Sequence, residues 1–239
     1  MSRKGFTTQI LHGDRLSTVK HGSVHKPVHN SVAYGYNTAE QLAEVFQGKA
    51  DGFSYGRQNN PTTSALERKI TTMEQGLDTI CFATGMAAIT ATVLSLLRSG
   101  DHLISSRFLF GNTNSLFDTL TRFGIEVSLV DGTDAAAVAA AIRPNTKAVF
   151  VETIANPCTQ IADLQGIGLL CKERQLLYIV DNTMTSPLLF LPRSVNAGLV
   201  VNSLTKVIGG HANVLGGAVT ETGIYDWNQF DNIDDNYKK

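Results

Sequence analysis

Leu176-Leu177-Tyr178-Ile179-Val180-Asp181 is an unbroken apolar run that ends on a carboxylate, and a second apolar run leads into Ser203-Leu204-Thr205-Lys206. Runs of this length without polar alternation mark strands buried on both faces, as in a parallel sheet covered by helices. A strand-end aspartate is most often a helix cap or turn residue, and a lysine is most often a solvated charge. The surroundings argue otherwise here. Lys206 follows two hydroxyl residues, Ser203 and Thr205, and precedes Val207-Ile208-Gly209-Gly210-His211. Its amine therefore lies among small, apolar and hydrogen-bonding groups suited to a phosphate. An amine and a carboxylate presented together from strand ends are what pyridoxal phosphate requires, the lysine as Schiff-base partner and the aspartate to keep the ring nitrogen protonated.

Outward from this stretch, strand-like and helix-like segments alternate from about residue 60, which predicts an α/β fold: three layers, a mainly parallel sheet with helices on both faces. Asn60-Pro61-Thr62 reads as an N-cap with proline at the first helical position, opening a helix that runs to Met73-Glu74. Strands are predicted at residues 78–83, 102–105, 125–130, 147–152, 176–181, 199–203 and 214–219. Helices are predicted from Gly85 toward Leu97 and over residues 114–122, 134–142 and 163–174. Residues 1–52, rich in His, Gly, Ser and Thr, hold one short candidate helix over 39–47 and read as an N-terminal arm. Residues 53–239 are expected to form the domain that carries this alternation. Residues 225–239 are polar and acidic with weak periodicity, and are expected to be loosely ordered.

The chain has 239 residues and a formal net charge of −1 with both signs dispersed, which gives no electrostatic footprint for nucleic acid or an anionic membrane. The N-terminus lacks the apolar stretch of a signal peptide, and no run is long enough to span a bilayer, so a soluble, cytoplasmic protein is expected. The three cysteines, Cys81, Cys158 and Cys171, form neither a disulfide framework nor a zinc pattern. Cys81 and Cys171 read as small core residues and Cys158 as a loop residue. His21, His25 and His29 recur at helical spacing, but Gly22 and Pro27 interrupt any such helix, so no metal site is expected.

The remaining candidates fall where open α/β sheets gather ligands, beyond the carboxyl ends of the strands. Thr84-Gly85-Met86 joins a strand to a helix and offers amide N–H groups to a phosphate. Phe110 in Phe110-Gly111-Asn112-Thr113 is placed to stack on a planar cofactor. Asn156 in Glu152-Thr153-Ile154-Ala155-Asn156-Pro157 is placed to donate to a phenolate oxygen. Tyr55 and Arg57, in Tyr55-Gly56-Arg57-Gln58-Asn59-Asn60-Pro61, suit a phosphate dianion. Neither G-x-G-x-x-G nor G-x-x-x-x-G-K-[ST] occurs, which counts against a nucleotide-binding module.

Taken in order, from about Tyr55 to Gly217, these motifs resemble the pyridoxal-phosphate enzymes of cysteine and methionine metabolism. That group includes cystathionine γ-synthase, cystathionine lyases, methionine γ-lyase and the O-acylhomoserine sulfhydrylases. The resemblance implies an aspartate-aminotransferase-like large domain. It implies Lys206 as the Schiff-base lysine, Asp181 as partner of the pyridine nitrogen, Asn156 beside the ring hydroxyl, and Gly85, Met86, Ser203 and Thr205 around the phosphate. It also implies that Tyr55 and Arg57 reach the phosphate of a neighbouring subunit, in a homodimer or homotetramer. The activity implied is γ-replacement or γ-elimination on O-acylhomoserine or a related sulfur amino acid.

Two departures from the family pattern matter. Phe110 stands where most members have a tyrosine, which tilts the expectation toward sulfhydrylase-like γ-replacement. Members also continue into a C-terminal small domain with an arginine for the substrate carboxylate, so the large domain is expected to be incomplete and that domain missing. The alternative is a truncated cofactor-binding remnant, or a partner of a full-length paralogue, without catalysis.

Overall fold

The computed structural model describes residues 5–13 and 20–237. Its contacts divide the chain into Met1–Thr72 and Met73–Lys239.

The first unit holds helices α1 (Phe6–His12) and α2 (Ala39–Phe46) and most of α3 (Pro61–Glu74). Thr38 caps α2, its hydroxyl accepting the Gln41 N–H at 3.3 Å. Asn60 caps α3, accepting the Thr62 N–H at 2.8 Å, so the Asn-Pro signature sets this helix start as expected. His21, at φ 60°, lies in a 3₁₀ turn, and His25 and His29 lie in irregular backbone, so the three share no helical face. Among the described residues no three His, Cys, Asp or Glu side chains gather as a metal-ligand set. No described helix is long and apolar enough to cross a membrane.

The second unit alternates β1 (Asp78–Phe82), α4 (Gly85–Leu96), β2 (His102–Ser106), α5 (Gly111–Thr121), β3 (Glu126–Val130), α6 (Ala135–Ala140), β4 (Thr146–Glu152), α7 (Leu164–Arg174), β5 (Leu177–Asp181), α8 (Ser186–Leu189), β6 (Leu199–Asn202) and β7 (Gly217–Glu221). The seven strands form one sheet in the order β1-β7-β6-β5-β4-β2-β3. β7 runs antiparallel to both neighbours, and every other pair is parallel. Because successive side chains leave a strand on opposite faces, the inner strands feed two cores. Ala148, Phe150, Leu177, Ile179 and Val201 join the α4 and α5 residues Ala88, Ile89, Val93 and Phe117 in one. Val149, Val151, Tyr178, Val180 and Val200 join Val138, Ile167 and Cys171 of α6 and α7 in the other. The three-layer expectation holds.

Three local expectations are corrected. The last strand begins at Gly217 rather than Val214, because residue 216 is tied to the lysine loop: the Thr205 hydroxyl accepts the Gly216 N–H at 3.1 Å. Cys81 is only half-buried, on the edge strand β1, whereas Cys171 is buried and Cys158 exposed. The segment from Tyr225 is not loose: Tyr225, Trp227 and Phe230 meet edge-to-face with centroids 5.2 to 6.2 Å apart. Phe230 is fully buried in the first core.

Glu74, the last residue of α3, is buried, and burial pushes its carboxyl up to about 7 from an ordinary 4.5, against hydrogen bonds from Asn202 and Asn182 that lower it. Below pH 4.5 the carboxyl is protonated whether the chain is folded or not. As pH rises from 4.5 to about 7 the unfolded chain ionises first, so this group's contribution to stability is lost across that window. The loss amounts to about 3 kcal/mol at most. Glu74→Gln is expected to flatten that part of the stability profile, read as thermal midpoints between pH 4 and 8. An unchanged slope would show that Glu74 ionises normally in the fold.

Candidate active site

Several segments converge beyond the carboxyl ends of the parallel strands. After β1, Thr84 caps α4, its hydroxyl accepting the Ala87 N–H at 3.0 Å. Gly85 and Met86 follow, in the first helical turn, whose amides have no intrahelical carbonyl to meet and which carries the positive end of the helix dipole. A Cβ on Gly85 would stand 2.8 Å from Ser203 Cβ and 3.0 Å from its Oγ. Only glycine lets the start of α4 approach the loop after β6 this closely.

Asp181 ends β5 and is 9% exposed. Its Oδ1 accepts the Thr183 N–H at 2.9 Å, and the Thr183 hydroxyl accepts the Ser203 N–H at 2.8 Å, which ties the loops after β5 and β6 together. Burial pushes the Asp181 carboxyl above its usual range, against the Thr183 bonds. Among the described residues no cationic side chain forms an ion pair with it. A buried carboxylate of this kind favours a positively charged partner.

Glu152 ends β4 and lies opposite Asp181 in register. Its Oε1 accepts the Phe110 N–H at 2.7 Å. Burial pushes this carboxyl up to about 7, and the neighbouring Asp181 adds to the effect, while the backbone N–H groups of Phe110 and Asn156 oppose it. Phe110 sits just before α5 and is 43% exposed, so its ring is available to a ligand. Lys206 is exposed at the side chain and fixed at the backbone, where its N–H donates to Ser203 O at 3.2 Å and its carbonyl accepts from Gly210 at 2.8 Å.

These groups line one cavity of about 430 Å³. Gly85, Met86, Phe110, Asn156, Asp181, Ser203, Thr205 and Lys206 all face it. Tyr55 and Arg57 belong to the first unit, where the Arg57 guanidinium lies 5.0 Å from the centroid of the Tyr55 ring. Sequence patterning passed over Glu152, Thr183 and Met184, which also line the cavity. For Glu152 the signal was present: a carboxylate closing an apolar strand is the feature that singled out Asp181.

The donor set fits a phosphorylated pyridine. The cavity lining combines the first-turn amides of a helix, two hydroxyls, an aromatic ring, a buried carboxyl that favours a cation, and an amine. Fold and site thus define an α/β protein built around a phosphate-bearing planar cofactor. The family model for pyridoxal-phosphate-dependent enzymes of cysteine and methionine metabolism matches residues 7–236, and the chain belongs to that family. It is 36% identical to the O-acetyl-L-homoserine sulfhydrylase of Corynebacterium glutamicum over 93% of this chain and 52% of that protein. It is 37% identical to an L-methionine γ-lyase of Fusobacterium nucleatum over 90% of this chain and 55% of that one. A crystal structure of a putative O-acetylhomoserine (thiol)-lyase from Campylobacter jejuni, which carries a pyridoxyl-lysine phosphate, superposes with a TM-score of 0.90 at 31% identity. That match covers 99% of this chain and 60% of the other. The chain spans about half the length of the curated relatives it matches.

Proposed function

We propose that this chain binds pyridoxal phosphate and serves a transsulfuration-type reaction on O-acylhomoserine or a related sulfur amino acid, by γ-replacement or γ-elimination. The observation that carries this reading is the meeting of Lys206, Asp181, Asn156, Phe110 and the first turn of α4 in one cavity. When bound, pyridoxal phosphate supplies an electron sink for the pair left at the substrate α-carbon. The amides of Gly85 and Met86 and the hydroxyls of Ser203 and Thr205 hold the phosphate. The Asp181 carboxylate holds a proton at the ring nitrogen, and Asn156 donates to the ring oxygen.

Lys206 Nζ would anchor the cofactor, and the same amine would take the substrate α-proton as general base and move protons at the β-carbon. Phe110 stacks without offering a phenol, so no aromatic hydroxyl at that position competes with Lys206 for these proton transfers. Tyr55 and Arg57, on the first unit, serve the phosphate of a neighbouring subunit in a homodimer or homotetramer.

The test is cofactor uptake followed by borohydride and peptide mapping. The expected result is a visible absorption band that borohydride fixes covalently at Lys206. A label on another lysine, or none with the fold intact, would overturn the assignment. Label without turnover of any sulfur amino acid would point instead to a cofactor-binding protein that does not catalyse.

A further inference from the structure

Three of the strand ends that supply the cavity carry, at the adjacent position, a buried polar side chain: Thr153 after Glu152, Asn182 after Asp181 and Asn202 before Ser203. None of the three lines the cavity, and the Thr153 and Asn182 N–H groups continue the sheet pairing, donating to Asp181 O and Val201 O at 2.9 and 2.8 Å, so the alternation of side chains turns them from it. The three side chains are joined to one another. Glu74 Oε1 accepts from Asn202 Nδ2 at 2.6 Å and from Asn182 Nδ2 at 3.1 Å. Asn182 Nδ2 also donates to Phe190 O at 3.0 Å, and its Oδ1 accepts from the Thr185 hydroxyl. The Thr185 hydroxyl lies 3.1 Å from that of Thr153. One carboxyl thus connects directly with the ends of β5 and β6, and through Asn182 and Thr185 with the end of β4.

We propose that Glu74 is a positioning residue for the active site: its carboxyl sets the spacing of the three strand ends, and through them that of Glu152, Asp181 and Ser203. This rests on the cavity being the pyridoxal-phosphate site. Stability alone is a poor account of the network, because Glu74 Oε2 and Asn202 Oδ1 are buried with no hydrogen-bond partner. Apolar side chains of similar volume would fill the space without orphaned polar atoms. What apolar packing would not provide is directional contact between strand ends, which hydrogen bonds with fixed geometry impose.

Two substitutions test it in the whole 239-residue chain. Glu74→Asp keeps the carboxyl but withdraws it by one methylene, away from two donors held by separate strands. Glu74→Gln keeps an Oε1 acceptor at the same side-chain length for both asparagine donors. In the cofactor-free protein, hydrogen exchange at the Thr183 and Ser203 amides is expected to rise about tenfold in Glu74→Asp, as a lost local hydrogen bond implies. Exchange in β2 is expected to stay unchanged, and Glu74→Gln to stay within about twofold of the native chain throughout. In parallel, the dissociation constant for pyridoxal phosphate is expected to rise about tenfold in Glu74→Asp and to stay within about twofold in Glu74→Gln.

Unchanged exchange at Thr183 and Ser203 in Glu74→Asp would overturn the proposal. So would a rise in exchange, local or uniform, with an unaltered dissociation constant, since that describes a structural residue only. Failure of the native chain to take up the cofactor would overturn the reading of the cavity instead, and the exchange measurement would still decide whether Glu74 holds the strand ends.

Discussion

Lys206→Ala is expected to remove the visible absorption band and all borohydride labelling, and to lower any turnover by about 10²- to 10⁴-fold, the span associated with loss of a positioned acid–base group. Two roles fall on one amine in the proposed mechanism, covalent anchorage and proton transfer, so the fall is expected toward the upper end. The fold should not register the change. Lys206 is exposed at the side chain, and its loop is held by backbone bonds from its own N–H to Ser203 O and from Gly210 N–H to its carbonyl. Substitutions at such positions alter stability by about 0.5 kcal/mol or less. Denaturant unfolding of the cofactor-free variant checks this half of the expectation. A persistent band in Lys206→Ala would sink the assignment of the anchoring lysine, whatever happened to turnover.

How much of the fold and site is legible in the amino-acid sequence depends on the kind of signal each element carries. Apolar runs closing on a polar residue locate β4 and β5 within a residue or two, because strands buried on both faces have no choice of composition. A capping residue locates a helix start: Asn60 accepts the amide expected of it at the head of α3, whereas Thr84, which caps α4, reads in the sequence only as part of a strand-to-helix turn. The reversed direction of β7 is not legible, since an antiparallel strand and a parallel one buried to the same degree read alike. Its start is obscured for a related reason. Val214 and Leu215 continue the apolar run, yet they line a pocket beside Lys206, and the pairing with β1 begins only at Gly217.

Residues 225–237 mislead in the opposite direction. Periodicity measures a repeating face, and this segment is anchored by separate aromatic residues in short turns instead. Glu74 is invisible for a deeper reason. A glutamate ending a helix looks like a solvated charge, and only the distances to Asn182 and Asn202, far along the chain, show that it is enclosed. Local pattern therefore finds several of the residues that line the cavity, passes over Glu152, Thr183 and Met184, and misses the network around Glu74 altogether.

Asp181→Asn is expected to separate chemistry from stability by moving them in opposite directions. The amide keeps an oxygen to accept the Thr183 N–H, so the loop after β5 retains its bond. What it removes is the charge. In the cofactor-free protein that charge is a liability, since burial raises the carboxyl's pKa above its ordinary value. The sign follows from that direction: stability from this group is present below the ordinary carboxyl range and is lost as pH rises through the raised value. The variant should accordingly be at least as stable as the native chain near pH 8, with a flatter pH profile. In the loaded protein the role proposed for the same charge is to hold the ring-nitrogen proton, and its loss should then slow α-proton exchange of a bound amino acid into deuterated solvent by about 10²- to 10³-fold, the scale of one preorganised electrostatic group. Because a capping residue would lose stability when altered and leave exchange at the α-carbon intact, the two measurements together decide the role. Lower stability at pH 8 with normal exchange would make Asp181 a cap, and the cavity would then need another counter-charge for the cofactor.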